Sequence, residues 1–172
     1  MASPARTLIM SPERVQRTLR RLAYEIVEHN RGAQRVELLG ILKSGQPLAE
    51  ALAREIGRIE DVSLTARGLD VTSFRDDRET ESSAAPEAPV DVTDRDVILV
   101  DDVLFTGRTA RAALDAVVQF GRPRSIQLVV LIDRGHREYP IQPDYVGRKL
   151  QTKHREQVTV ATDEDFAVYV ED

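Results

Sequence analysis

The chain has 172 residues, 41% of them apolar and 31% charged, which is the composition and length of one globular domain. Twenty-nine acids against 24 bases leave a net charge of −5, and that excludes a protein that coats nucleic acid by bulk charge alone. The absence of cysteine excludes disulfides, thiolate catalysis and Cys-based metal centres, and three histidines (His29, His136, His154) make a His-based metal cage an unpromising reading.

Along the chain, Ser11-Pro12-Glu13 opens a helix, with Ser as N-cap, Pro at the first helical position and an acid in the first turn. Val15, Leu19, Leu22, Ala23, Ile26 and Val27 keep the 3.6-residue period of a buried face, and Gly32 is the expected stop. Val36–Leu42 is short and apolar and reads as a strand. A second helix is expected from Pro47 to Gly57, then a loosely alternating strand over Val62–Val71. Residues 72–93 are acidic, rich in Ser, Ala and Pro, and lack periodicity; a loop this long in a compact domain acts as a lid or stays unstructured. Asp96–Val100 has the continuous apolar run of a strand covered on both faces. Ala110, Ala113, Leu114, Val117 and Val118 mark a third helix, ended by Gly121, and Ser125–Ile132 a further buried strand ending at Asp133. An irregular basic segment follows over 133–155, and Gln157–Ala161 with Phe166–Val170 form an expected terminal hairpin. Strands alternating with helices imply an α/β fold with a doubly wound, mostly parallel sheet in a single domain spanning 1–172. Such sheets bind ligands at the carboxyl ends of their strands, where segments 43–46, 101–109 and 133–137 fall.

Charge is unevenly spread. Residues 1–35 carry 7 bases and 3 acids, 60–96 carry 4 bases and 11 acids, 133–155 carry 6 bases and 3 acids, and 156–172 carry 6 acids and no base. Of the 24 bases 21 are Arg, whose planar fork suits phosphate and carboxylate. Solvated helix faces and an acidic tail account for this pattern, and a specific anionic partner accounts for it as well.

The densest chemistry lies in Val97–Thr109, VILVDDVLFTGRT. An apolar strand delivers Asp101 and Asp102 to its tip, and a turn with Thr106, Gly107 and Thr109 leads into a helix. A helix N-terminus offers unpaired N–H groups and the positive end of a dipole, so it binds phosphate, and Gly107 lets backbone approach closely. Two carboxylates just before that turn suit hydroxyls or a magnesium ion instead. Phosphate beside vicinal hydroxyls describes a ribose 5-phosphate. Two nucleotide-site alternatives fail on spacing. A Walker-type reading of the strand and its acids needs G-x-x-x-x-G-K-[ST] upstream, and the chain offers Gly40-Ile-Leu-Lys-Ser-Gly45 followed by Gln46-Pro47. A dinucleotide fold needs G-x-G-x-x-G, which is absent. A strand end with solvated acids and a helix cap remains the plain structural alternative.

VILVDDVLFTGRT resembles the phosphoribosyl pyrophosphate (PRPP) signature of type I phosphoribosyltransferases. With RTLRRLAYEIVEHNRG near the N-terminus, LDVTSFRDD at 69–77, VDVTDRDVILVDDVLFTGRTARAALDA at 90–116 and GRPRSIQLVVLIDRGHREYPIQPDYVG at 121–147, the chain resembles the PyrR family of bifunctional pyrimidine-operon attenuators and uracil phosphoribosyltransferases over about residues 11–170. The resemblance implies a type I phosphoribosyltransferase fold with a lid at about 72–93 and a small hood from 133–155 with N- and C-terminal parts. It implies that Asp101 and Asp102 hold the ribose hydroxyls, and that Val103, Leu104, Phe105, Thr106, Gly107, Arg108 and Thr109 form the PRPP and nucleotide site around the 5-phosphate. Lys43, Ser44 and Gly45 would be the pyrophosphate loop, Arg75 would meet the pyrophosphate from the root of the lid, and Arg134, Gly135 and His136 would close over uracil. Mg²⁺ would arrive with PRPP rather than on direct side-chain ligands.

The same resemblance implies uracil, PRPP and UMP as ligands, pyr leader mRNA as a further partner, and a homodimer or dimer of dimers. Arg17, Arg20, Arg21, Arg137, Arg148 and Lys149 are the RNA-contact candidates. No run approaches 18 apolar residues, so no membrane partner and a cytoplasmic location are expected. Three departures from the family pattern stand out. Lys43-Ser44-Gly45 replaces the usual Thr-Arg-Gly and resembles the loop of hypoxanthine-type transferases. Ile141-Gln142-Pro143-Asp144-Tyr145 lacks a base found in the family, and Arg20 and Tyr24 stand where Thr and His are common. A purine-type transferase, or an RNA-binding regulator with little enzyme activity, are the alternatives these departures keep open.

Overall fold

The computed structural model describes residues 5–76 and 90–172. The element order is β1 (Arg6–Met10), α1 (Pro12–Asn30), β2 (Val36–Ile41), α2 (Gly45–Glu60), β3 (Ala66–Leu69), a 3₁₀ turn (Thr72–Phe74), β4 (Asp96–Leu104), α3 (Arg108–Val117), β5 (Ser125–Asp133), β6 (Tyr145–Lys149), β7 (Gln157–Ala161) and β8 (Ala167–Glu171). Most of the predicted lid lies outside the described residues.

Five strands make a parallel sheet in the order β3-β2-β4-β5-β6. Ile98 and Val100 of β4 pack into one apolar cluster with Leu19, Leu22 and Ile26 of α1 and Leu48, Leu52 and Ile56 of α2. The alternate residues Val97 and Leu99 pack with Ala110, Ala113 and Val117 of α3. Strand alternation therefore feeds two cores from one strand, and the sheet is doubly wound as the alternating pattern requires. A second, antiparallel sheet in the order β1-β8-β7 joins the two ends of the chain.

Local chemistry explains most boundaries. Ser11 caps α1, its hydroxyl accepting from the Arg14 N–H at 3.4 Å, with Pro12 behind it. The helix ends on Arg31 in the left-handed region, one residue before the predicted Gly32. Gly57 does not end α2, which continues to Glu60. That glycine is instead a close-approach site, since a Cβ there would lie 2.7 Å from the Val62 carbonyl oxygen. The predicted strand 62–71 shortens to Ala66–Leu69.

Two strands were not expected from the pattern. Among the described residues β1 pairs only with β8. β6, inside the segment predicted to be irregular, extends the parallel sheet beyond β5. Gly147 lets α1 dock on β6: a Cβ there would meet the Leu131 carbonyl oxygen at 2.4 Å and Thr18 Cγ2 at 2.9 Å. Arg21 completes the joint by donating to the Val146 and Gly147 carbonyls at 3.2 and 2.7 Å.

Candidate active site

Strand β4 carries the site. The apolar run stops at Val100 but the strand does not; ladder pairing with β5 continues through Asp101, Val103 and Leu104, opposite Val130, Ile132 and Asp133. The two aspartates are therefore held by a sheet rather than by a loose tip. Asp101 is buried and Asp102 half-buried. Asp101 Oδ1 accepts the Asp102 N–H at 2.9 Å, and Asp102 Oδ1 accepts the Val103 N–H at 2.7 Å. Burial, followed by the charge of Asp102, pushes the Asp101 carboxyl well above the usual carboxylate range.

Beyond Leu104 the chain turns through Phe105, Thr106 and Gly107 into α3. Gly107 has φ 90°, a left-handed conformation that favours glycine, and a Cβ there would lie 3.2 Å from Ile141 Cγ1. The Thr106 hydroxyl accepts the Arg108 N–H at 3.3 Å, as in a hydroxyl-closed turn. Asp101, Val103, Leu104, Phe105, Thr106, Gly107, Arg108 and Thr109 line one cavity of about 370 Å³ together with Arg75 and Glu138. Arg75 Nη1 donates to Thr109 Oγ1 at 2.9 Å, so the residue at the root of the acidic loop meets the threonine at the start of the helix. The cavity thus brings the Asp101 carboxyl, the Arg75 guanidinium and the start of α3 together, with Asp102 next to it on the strand.

Lys43 and Ser44 follow β2, and Gly45 begins α2. The Leu42–Lys43 peptide is cis. A Cβ on Gly45 would lie 2.2 Å from the Val100 carbonyl oxygen and 3.4 Å from Asp101 Cα, so this second loop abuts β4 directly before the aspartates. Lys43 is exposed and Ser44 half-buried.

Residues 10–165 match the model of the phosphoribosyl transferase domain family. The chain is 48% identical to a protein named Bifunctional protein PyrR from Deinococcus radiodurans, over 95% of this chain and 91% of that one. It is 51% identical to the protein of the same name from Nostoc punctiforme, over 88% and 87%. The chain belongs to the PyrR family of phosphoribosyltransferases. The solved hypoxanthine phosphoribosyltransferase from Trypanosoma cruzi, in complex with the product IMP, has a TM-score of 0.76 at 17% identity, covering 98% of this chain and 95% of that one. That likeness establishes the type I phosphoribosyltransferase fold.

In this PyrR-family chain the segment predicted to close over uracil has divided roles. Arg134 is buried. Its Nε donates to Thr152 Oγ1 at 3.0 Å and its Nη2 to the Lys153 carbonyl at 3.0 Å, while its guanidinium carbon lies 4.1 Å from the centre of the Phe105 ring. Burial lowers its pKa. Arg134 thus braces the 152–154 turn against Phe105. Gly135 is left-handed at φ 77° and His136 at φ 64°, and the bend exposes the His136 ring. His136 Nε2 lies 2.7 Å from the Thr152 carbonyl oxygen, which can only accept, so Nε2 carries a proton and donates to it. The rings of Phe105, His136 and His154 meet at 5.3–5.7 Å between centroids. Thr152 and His154 escaped the sequence reading, which had no signal to separate them from the surrounding basic run.

Phe105 and Arg108 line the cavity and also reach beyond it. The Phe105 ring meets Arg134 and the histidines, and the Arg108 side chain bonds Glu138, Asp76 and Tyr139.

The basic residues separate similarly. Arg17 is exposed on α1. Arg20 is exposed and lies 3.7 Å from Glu55, and Arg21 pairs with Glu25 at 2.8 Å besides its carbonyl contacts on β6. Arg148 donates to the Ile9 carbonyl at 3.0 Å, and Lys149 is exposed at the end of β6. These five sit on the adjoining elements α1 and β6. Arg137 does not join them. It is drawn inward by Asp133 at 2.7 Å and the Phe105 and Ile141 carbonyls, both at 2.9 Å, and it is a brace for the phosphate turn rather than a surface contact.

Burial alone would raise the Asp133 carboxyl, but Arg137 and the Gly135 N–H hold it below its ordinary value. Such a group adds stability above its unfolded pKa and withdraws it as the pH falls through the folded one. Arg137→Met is expected to lower stability by about 3 kcal/mol near neutrality, by stranding a buried charge. The gap from wild type is expected to narrow on acidification. Urea unfolding at neutral and acid pH measures both, and a pH-independent gap would contradict the pairing.

Proposed function

We propose that this chain transfers the 5-phosphoribosyl group of PRPP to N1 of uracil, giving UMP and pyrophosphate, and that it also binds pyr leader mRNA in response to uridine nucleotide. The observation that carries the transferase reading is a cavity lined by Asp101, Arg75 and the Thr106–Thr109 turn at the N-terminus of α3, with Asp102 adjacent on β4. In the reaction the bond from C1 of ribose to the pyrophosphate oxygen breaks, the bond from C1 to N1 forms, and the N1 proton is released. Positive charge develops at C1, as in other glycosyl transfers. No side-chain nucleophile is required.

Each residue has a task that follows from its place. Asp101 and Asp102 hold the ribose hydroxyls and stabilise the developing cation. The Thr106–Thr109 turn, with the hydroxyls of Thr106 and Thr109, takes the 5-phosphate at the helix end. Lys43-Ser44-Gly45 and Arg75 take the pyrophosphate. Mg²⁺ would arrive with PRPP rather than on direct side-chain ligands, and when bound it would supply positive charge to the leaving pyrophosphate. Phe105 packs against the base edge-on or face-on, and His136, when neutral, offers Nδ1 as an acceptor for an N–H of the uracil ring.

The bases of α1 and β6 form the RNA surface, with Tyr24 exposed among them. RNA recognition there depends on loop shape and phosphate contacts, so affinity falls steeply with salt. A homodimer or dimer of dimers in the cytoplasm completes the proposal. Among the described residues no helix is long and apolar enough to cross a membrane.

The Lys43-Ser44-Gly45 loop favours one second reading, a purine-type transferase. Assaying PRPP consumption with uracil, hypoxanthine and guanine separates the two. Uracil is expected to be turned over at least about a hundredfold faster than either purine, because a site whose polar groups match one base leaves them unpaired against another. Faster turnover of hypoxanthine would overturn the uracil assignment. Equal affinity for leader RNA and a scrambled RNA would remove the regulatory half.

A further inference from the structure

The Arg108 side chain ties together three segments that the chain order keeps apart. Its Nε donates to Glu138 Oε2 at 2.8 Å. Its Nη1 donates to both carboxylate oxygens of Asp76, at 3.1 Å each, and to the Tyr139 hydroxyl at 2.7 Å. The Tyr139 hydroxyl, having accepted from Arg108, donates in turn to Asp76 Oδ2. The guanidinium carbon also sits 4.6 Å from the Tyr139 ring centre. The backbone N–H groups of Glu138 and Tyr139 both donate to the Thr106 carbonyl, at 2.9 and 3.0 Å. Asp76, Arg108 and Tyr139 thus close a ring of hydrogen bonds mounted on the phosphate turn itself. The hydrogen bond from Tyr139 holds the Asp76 carboxyl below its ordinary range and, reciprocally, holds the Tyr139 hydroxyl above its own.

Arg75 is the residue next to Asp76, and it reaches Thr109 Oγ1 at 2.9 Å. Fixing Asp76 fixes the backbone from which Arg75 extends into the cavity. A charged, partly bidentate contact restricts direction as well as distance, which an isolated flexible arginine lacks.

We infer that Asp76 and Tyr139, acting through Arg108, are positioning residues that aim Arg75 at the pyrophosphate half of PRPP; this rests on the transferase reading above. Neither residue touches substrate. Their effect is larger for PRPP than for UMP, because both carry the 5-phosphate beside Thr109 but only PRPP carries the pyrophosphate that Arg75 is proposed to meet.

Calorimetric binding of PRPP and of UMP to wild type, Tyr139→Phe, Asp76→Asn and Arg75→Gln tests this. Loss of one bond to a charged partner is expected to weaken PRPP on the order of tenfold in the first two variants, with a clearly smaller loss of UMP affinity, on the order of threefold or less. In the Arg75→Gln background Tyr139→Phe is expected to add nothing, since coupled residues are non-additive. Asp76→Glu, which keeps the carboxylate, is expected to restore part of the PRPP affinity lost in Asp76→Asn. Equal weakening of PRPP and UMP, or an additive double variant, would overturn the inference. Wild-type protein that binds no PRPP would instead overturn the transferase reading on which it rests.

Discussion

Asp102→Asn is expected to lower kcat by about 10²–10³-fold with the fold intact, the range seen when one group that stabilises transition-state charge is removed. The carboxylate is half-buried, and its structural duty is one hydrogen bond from the Val103 N–H at 2.7 Å, which an amide oxygen can still accept. What an amide cannot supply is negative charge beside C1 of ribose. Steady-state kinetics with uracil and PRPP, alongside circular dichroism, measures the two effects separately. Full activity would refute the ribose assignment.

Asp101→Asn is the complementary case. Burial and then Asp102 raise the Asp101 carboxyl, so the folded protein keeps a proton there that the unfolded chain gives up. That term is fully present below the unfolded pKa of about 4 and is lost as the pH rises through the elevated folded value. The amide removes the loss, so this variant is expected to melt above wild type at mildly alkaline pH while turning over more slowly. A lower melting temperature there would show that the buried charge is better compensated than its surroundings indicate.

Gly45→Ala carries the largest structural effect. Its Cβ would sit 2.2 Å from the Val100 carbonyl oxygen, a backbone atom of the central strand. No side-chain rotation relieves that contact, so α2 must shift away from β4. The expected cost is about 3 kcal/mol, the upper end for an overpacked core, and the displaced loop is expected to bind pyrophosphate poorly. Urea unfolding reports the first effect and pyrophosphate binding the second; wild-type stability would contradict the packing described here.

Much of this was legible in the sequence because the central elements obey simple periodicities. DVILV announced a strand covered on both faces, and Ser11-Pro12-Glu13 announced a helix start. The aspartate pair and the Thr106–Thr109 turn were readable because they are contiguous. The same contiguity misled at Asp101, where two acids ended the apolar run although the ladder continues to Leu104. β6 was hidden because Gly147 and two bases interrupt a five-residue strand, and β1 because the strand it pairs with, β8, lies far away in sequence. Gly57 looked like a helix stop because sequence cannot distinguish a glycine required by φ from one required by a neighbour's oxygen. The ring formed by Asp76, Arg108 and Tyr139 had no local signature, since its members come from three distant segments. Arg137 was grouped with surface bases for the same reason: its partner Asp133 is four residues away, but the carbonyls it also grips are placed by the fold.

The pairing of β1 with β8 has a consequence for the order of folding. Arg6 stands opposite Glu171 and Thr7 opposite Val170, so this ladder closes a loop that runs from residue 6 to residue 171. Loop-closure entropy has to be met before such a contact stabilises anything. The parallel sheet, whose neighbours lie nearer in sequence, is expected to form first and to bring the two strands of the antiparallel pair within reach of each other.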